Sequence, residues 1–351
     1  MTVYVLGAGA SHHAGYPLCG AMGSQLFGWM RSQASAQGFK SCFPSTAQFL
    51  DAQFSQIKDI EDLFTELQRQ IDLGRGTLDQ LHRCAALEDK RCILVDALRV
   101  WFNEIRQQRS ADAYRRFATE IVAPGDCIIT FNYDVSLERE LKSACKFEVG
   151  DGYGFTIESF PNSSPTKILK LHGSTSWLAL AFTGVKSNAQ GQAFVWEGGN
   201  ILGERPVIER GEFSFLGYSG LFDPAFPNGD GSALPVMIMP TRSKEFFFAL
   251  GNRTEYNNFW CGLWQRAEKA LRAADRIVIC GYSMPEADER ARELLLHSAK
   301  KDAEVVVASG DDTQRIVAEC LESGASKAAA AEAVYFEDWV ESQMSISAGK
   351  K

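Results

Sequence analysis

The chain has 351 residues, 45% hydrophobic and 23% charged, which is ordinary globular usage and excludes a disordered or collagen-like chain. With 36 basic residues against 44 acidic ones the net charge is −8, so the surface as a whole is not built to coat nucleic acid. No run of about 20 apolar residues exists, so no membrane span is expected. No secretory segment is expected either, because Val3-Tyr4-Val5-Leu6 runs straight into glycines. The nine cysteines include no Cys-x-x-Cys pair, and the nearest two are Cys84 and Cys92. That spacing argues against a structural zinc, and the odd count fits free thiols in a reducing cytoplasm.

In chain order, Thr2–Leu6 reads as a short strand, Gly7-Ala8-Gly9-Ala10-Ser11 as a Gly-rich turn, and residues 18–34 as a helix. Residues 45–120 are helical by pattern, with Phe49, Phe54, Ile57, Ile60, Phe64, Leu67 and Ile71 recurring at spacings of three to five. Arg91–Glu120 is a second helical stretch. The period then changes. Cys127–Phe131 is a buried strand, Asp134–Cys145 its following helix, and Ile168–Leu171 another strand ending at His172. Residues 180–235, rich in Gly, Pro, Asn and aromatics, read as irregular with short strands, and Val236–Pro240 as a strand. Toward the end come a helix (Tyr256–Ala274), a strand (Arg276–Cys280), a helix (Glu286–Lys301), a strand (Ala303–Ala308) and a helix (Asp311–Glu322). The Ala-rich patch Lys327–Ala333 reads as helix or turn, and Ala333–Phe336 as a final strand. Alternating strands and helices predict a doubly wound, mostly parallel α/β (Rossmann-like) sheet. One domain is expected over 1–345, with a helical insertion at about 35–120 and an irregular one at about 180–235.

In an open parallel sheet, ligands bind at the carboxyl ends of the strands. Polar clusters stand at these expected ends: Gly7–Ser11, Asn132-Tyr133-Asp134, His172-Gly173-Ser174, Gly281-Tyr282-Ser283 and Ser309-Gly310-Asp311. The glycine turn fits a phosphate cradle or a plain tight turn. It is not Gly-x-Gly-x-x-Gly, and residues 1–50 hold no Asp or Glu to read a ribose, which disfavours an ordinary dehydrogenase. Asp134 reads equally as a helix N-cap. Asn132, an amide at the tip of a buried strand, needs partners. His172 is the one histidine of five that ends a strand, and an unperturbed pKa of about 6.5 suits general-base work.

Gly7-Ala8-Gly9-Ala10-Ser11, Thr130-Phe131-Asn132-Tyr133-Asp134, Leu171-His172-Gly173 and Gly281-Tyr282-Ser283 with Pro285 and Asp288 occur in this order. Together they resemble the sirtuin-like (SIR2-like) domain of bacterial anti-phage defence proteins, and Met239-Pro240-Thr241 before Lys244 fits that branch. The resemblance implies NAD as substrate. Gly7, Ala8, Gly9 and Ser11 would line its phosphates; Asn132, Tyr133 and Asp134 would face the nicotinamide ribose. His172 would be the base, and Gly281, Tyr282, Ser283, Ser309 and Gly310 would meet the adenosine half. Two departures from the protein deacylases argue against deacylation. The four-cysteine zinc module is missing, and Gly15-Tyr16-Pro17 stands where those enzymes continue with an acid and an arginine.

Cleaving the nicotinamide–ribose bond expels a neutral leaving group and builds an oxocarbenium-like ribose. Asp134, Asn132 and neutral His172 would supply the electrostatics, the water position and the base, with no metal required. Water capture makes the chain an NAD hydrolase, an effector acting by NAD depletion. The alternatives are an NAD-dependent deacylase and an NAD or ADP-ribose sensor. A free NAD hydrolase would be toxic, so the resemblance implies gating, by homo-oligomer formation or by a partner such as an ATPase or Argonaute-like protein. The aromatic segment 213–226 reads either as a contact surface or as an insertion packed on its own domain. No direct nucleic-acid or membrane partner is expected.

Overall fold

A computed structural model describes residues 1–57, 59–73, 78–156, 162–180, 186–187, 193–194, 215–218, 233–238, 241 and 254–348. Met239, Pro240, Lys244 and the aromatics Phe213, Phe222 and Phe226 lie outside the described residues. Among the described residues no helix is long and apolar enough to cross a membrane.

The elements in chain order are β1 (Thr2–Leu6), α1 (Ala8–His12), α2 (Cys19–Ser32), α3 (Phe43–Gln53), α4 (Ile60–Leu73), α5 (Leu78–Gln108), α6 (Asp112–Arg116), β2 (Cys127–Thr130), α7 (Ser136–Ser143), α8 (Val149–Gly152) and β3 (Lys167–Lys170). They continue with β4 (Gly173–Leu180), β5 (Lys186–Ser187), β6 (Ala193–Phe194), β7 (Phe215–Tyr218), β8 (Ala233–Met237), α9 (Thr254–Ala273) and β9 (Arg276–Cys280). Last are α10 (Glu289–Ser298), β10 (Glu304–Ala308), α11 (Thr313–Glu322), β11 (Lys327–Ala330) and α12 (Phe336–Ala348).

The chain forms two compact units. The first comprises Met1–Leu18, Ile105–Gly173 and Lys244–Lys351; the second comprises Cys19–Glu104 and Ser174–Ser243. Residues 105–120, which the sequence groups with the helical range, thus belong to the first unit. The second unit contains α2, α3 and α4, with α2 packed on both others, and a small sheet ordered β7-β4-β8.

The first unit is built on six strands ordered β11-β10-β9-β1-β2-β3, every pairing parallel. Counted along this unit the order is 3-2-1-4-5-6, the doubly wound arrangement expected from the sequence. Its central strands are near-continuous apolar runs, Val3-Tyr4-Val5-Leu6, Cys127-Ile128-Ile129 and Ile277-Val278-Ile279-Cys280, because both faces are covered. Its helices form two packed groups. In one, α9 packs against α10; in the other, α6 packs against α7 and α12. An aromatic cluster of Tyr4, Phe117, Phe336 and Trp339 seals the α12 side, with Tyr4 and Phe117 edge to face at 4.9 Å.

The C-terminal expectations need correction. Lys327–Ala330, read as helix or turn, is the edge strand β11, and the strand expected at Ala333–Phe336 is absent: Phe336 opens α12. Alanine favours helix in isolation, but the free edge of β10 offers a ladder that outweighs that preference.

Candidate active site

The strand registers bring the polar clusters to one edge. Leu6 pairs with Thr130 and Cys280, Thr130 with Lys170, and Cys280 with Ala308. The residues that follow each strand therefore leave the sheet side by side: Gly7, Asn132, His172, Gly281 and Ser309. The order reverses between β1 and β9, and there the turns Gly7–Ser11 and Gly281–Ser283 meet.

These two turns interlock backbone to backbone. Gly7 N–H donates to Cys280 O (3.1 Å), Gly9 N–H to Gly281 O (2.9 Å), Ala10 N–H to Gly7 O (2.9 Å) and Gly281 N–H to Ala308 O (2.9 Å). A Cβ on Gly281, whose φ is +60°, would lie 2.2 Å from Ala10 N; one on Gly7 would lie 2.5 Å from Tyr282 Cα. The glycines are thus required by the approach of one turn to the other. Two of the amides expected to face a phosphate, those of Gly7 and Gly9, already have backbone acceptors.

Asn132, Ser11, Asp134 and Tyr114 form one hydrogen-bonded group. Asn132 Nδ2 donates to Gly7 O (2.8 Å) and to Ser11 Oγ (2.9 Å). Gly7 O can only accept, so the amide orientation is fixed. Both amide hydrogens are spent, and Oδ1 is what half-buried Asn132 can offer a ligand. Ser11 donates to Asp134 Oδ2 (2.6 Å), so Tyr114, 2.7 Å away, donates its hydroxyl to Ser11. Burial, reinforced by Asp134, holds the Tyr114 phenol well above its ordinary pKa, which keeps it a donor. Ser11 thereby reaches its full complement, one bond given and two received. The second Asp134 oxygen accepts Ser136 N–H (3.0 Å), but the N-cap of α7 is Val135, so Asp134 stands one residue before the cap position that was one reading of it. Asp134 is only 4% exposed.

Beneath Asp134 lies a buried ion pair. Lys170 Nζ donates to Glu138 Oε1 (2.7 Å) and to Asp134 O (2.5 Å), and both side chains are 1% exposed. Burial raises the Glu138 carboxyl and Lys170 opposes the rise. Tyr16 OH and Ser136 Oγ, 2.9 Å apart, close the group from the other side. Tyr114, Tyr16, Glu138 and Lys170 were not among the expected site residues. Lys170 carried a signal, a charge inside the apolar strand Ile168-Leu169-Lys170-Leu171, since a buried lysine demands a partner. Tyr114 carried none, standing on a helix far from any motif.

His172 is buried between Phe131 (ring centroids 5.0 Å apart) and Tyr133 (6.4 Å). Phe131 in turn stacks on Tyr282 at 4.3 Å, and Tyr282 OH donates to Asp288 Oδ2 (3.1 Å). Ser283 is exposed, and its carbonyl accepts from Arg315. At the end of β10, Ser309 N–H donates to Thr313 Oγ1 (2.9 Å), Gly310 N–H to Val334 O (2.8 Å), and Ser309 Oγ is buried without a hydrogen-bond partner. Among the described residues no group of three His, Cys, Asp or Glu could hold a metal ion.

No protein-family model matches the chain, and no curated relative was found. Solved structures of Sir2 proteins are similar over almost its whole length. Sir2Tm bound to a propionylated peptide is 13% identical, covers 99% of this chain and 94% of its own, and has a TM-score of 0.38. Sir2 in complex with an inhibitor, 2′-O-acetyl-ADP-ribose and a deacetylated peptide is 11% identical, with coverage of 99% and 94% and a TM-score of 0.40. A Sir2 homologue in complex with ADP-ribose is 12% identical, with coverage of 98% and 93% and a TM-score of 0.36. The fold described above rests on its own strand order and registers rather than on these likenesses.

Proposed function

We propose that the chain binds NAD at the carboxyl edge of β1, β2, β3, β9 and β10 and hydrolyses its nicotinamide–ribose bond to nicotinamide and ADP-ribose. The observation that carries this reading is the Asn132 amide, pinned through both hydrogens by Gly7 O and Ser11 Oγ at the edge where the strand order reverses. So held, its Oδ1 positions a water or ribose hydroxyl without rearrangement. His172, on the neighbouring strand end, is the base. Asp134, with both oxygens engaged inside the protein, acts as a positioning residue that fixes Ser11 and hence Asn132. The unpartnered Ser309 Oγ supports a ribose hydroxyl at the adenosine end. One NAD-binding domain over 1–345, gated by self-association or by a partner protein in anti-phage defence, is the setting that the motif resemblance supports.

The test is incubation of the purified full chain with NAD, with and without an acetyl-lysine peptide, and chromatography of the products. Peptide-independent release of nicotinamide and ADP-ribose is expected, and it should vanish in His172→Ala at unchanged melting temperature. Wild-type turnover in that variant removes His172 from the chemistry. Release that depends on the peptide establishes a deacylase instead, and binding without turnover a sensor.

A further inference from the structure

His13, in the first unit, carries an anomaly that the candidate site does not use. It caps the carboxyl end of α1, just after Ser11 on the same turn. Both of its ring nitrogens are buried, and neither makes a hydrogen bond. Buried polar atoms nearly always find partners, so a ring left without one calls for a reason. The ring packs against two aromatics. It meets Tyr114 of α6 edge to face at 4.8 Å and Phe336 of α12 at 5.6 Å. The Tyr114 and Phe336 rings lie 5.3 Å from each other, so the three rings close a triangle. Tyr114 is 1% exposed and spends its hydroxyl on Ser11 (2.7 Å), the acceptor of the Asn132 amide. This seat suits a neutral ring and not a cation. Protonation would give His13 a charge and two N–H donors, with neither nitrogen bonded to an acceptor. Burial holds its pKa below the ordinary 6.5, against the opposing pull of Glu337 on α12, the Ala10 backbone, Asp134 and Asp112 on α6.

We propose that His13 is a positioning residue: its neutral ring holds Tyr114 against Ser11, and protonation releases that hold, so the site is set only while His13 is uncharged. The proposal rests on the reading of the strand-end turns as the place where NAD reacts, and adds a control to it. His172 as base must also be neutral, so both histidines act in the same direction and the acid limb of the rate carries two protons rather than one. The sign follows from the lowered pKa. The stability that neutral His13 supports is complete above about pH 6.5 and is lost as pH falls below it.

The experiment compares the purified full chain as wild type, His13→Phe and His13→Ala, with NAD cleavage and melting temperature followed from about pH 8 to about pH 5. Phenylalanine keeps an aromatic ring in the triangle and cannot take a proton. His13→Ala is expected to lose at least about tenfold in kcat at neutral pH with KM little changed, and His13→Phe to restore most of that loss. On acidification the wild type should lose melting temperature relative to His13→Phe, and its rate should fall more steeply. The proposal is overturned if wild type and His13→Phe show the same pH dependence of melting temperature, or if His13→Ala cleaves NAD as fast as wild type. Should His13→Ala fail to fold, the comparison with His13→Phe decides. If the wild type cleaves no NAD, the hydrolase reading fails, and the melting temperatures alone decide for or against His13.

Discussion

Ser11 is the residue on which the candidate site turns. It receives Asn132 and Tyr114 and gives its proton to Asp134, so removing one hydroxyl strands three groups. Ser11→Ala should cost roughly 2–4 kcal/mol of stability, read as a lower denaturation midpoint at unchanged slope, with NAD cleavage falling alongside. Asn132→Asp separates geometry from chemistry. The new carboxylate is nearly isosteric but donates nothing, and it would face Gly7 O and Ser11 across from Asp134. Cleavage should drop by about 10²-fold or more. If that variant turned over NAD at the wild-type rate, orientation by the amide hydrogens would be irrelevant. The strand-end residues Asn132, Asp134 and His172 were legible because polar groups closing apolar runs interrupt a visible pattern. Tyr114 was not, because a tyrosine on an amphipathic helix looks the same whether its hydroxyl meets solvent or a serine 103 residues away in sequence.

Among the elements, the turn after β9 is the most constrained. Gly281→Ala meets both a positive φ and a backbone atom at 2.2 Å, whereas Gly324, with φ +103°, has nothing within 4 Å of the place an added methyl would take. Gly281→Ala should therefore destabilise by about 3 kcal/mol or more, and Gly324→Ala only by about 1 kcal/mol, in parallel chemical denaturation curves. Equal losses would show that φ alone matters and that the turns give way to one another. Reading the sequence alone, one sees that glycines are needed after β1 and after β9, but not that each is needed because of the other. That information lies in the pairing of Leu6 with Cys280. The Ala-rich segment 327–330 failed for a related reason: an edge strand is defined by its neighbour, and Lys-Ala-Ala-Ala carries little preference of its own.

Across the molecule, the thiols record how dry the first unit is. Burial, reinforced by Asp126, pushes Cys127 on β2 up to about 12; burial also pushes Cys320 on α11 up to about 11 and raises Cys280 on β9. Folded thiols that hold their protons when the unfolded chain has released them make stability complete below about pH 9 and lose it as pH rises toward 11–12. A loss of a few kcal/mol across that window is expected in denaturation curves. At neutral pH, Cys145 and Cys261, which are exposed, should react at once with a thiol reagent, and Cys127, Cys280 and Cys320 only on unfolding. Rapid labelling of Cys280 in the folded chain would contradict the packing around β9. The alternating strands and helices made the doubly wound architecture legible from sequence; the division of residues between two compact units was not, since it depends on which distant segments pack together.

The partners of β1 carry a consequence for biosynthesis. Val3 lies beside Cys127 on one side and Ile277 on the other. At roughly 5–20 residues per second, tens of seconds separate the emergence of the first strand from that of its second neighbour. A nascent chain already carries Gly7, Asn132 and His172 long before Gly281 arrives to lock the first turn. Until Gly281 has been made, the turn after β1 would lack the backbone partner that locks it, so the proposed site would close only once β9 has joined the sheet.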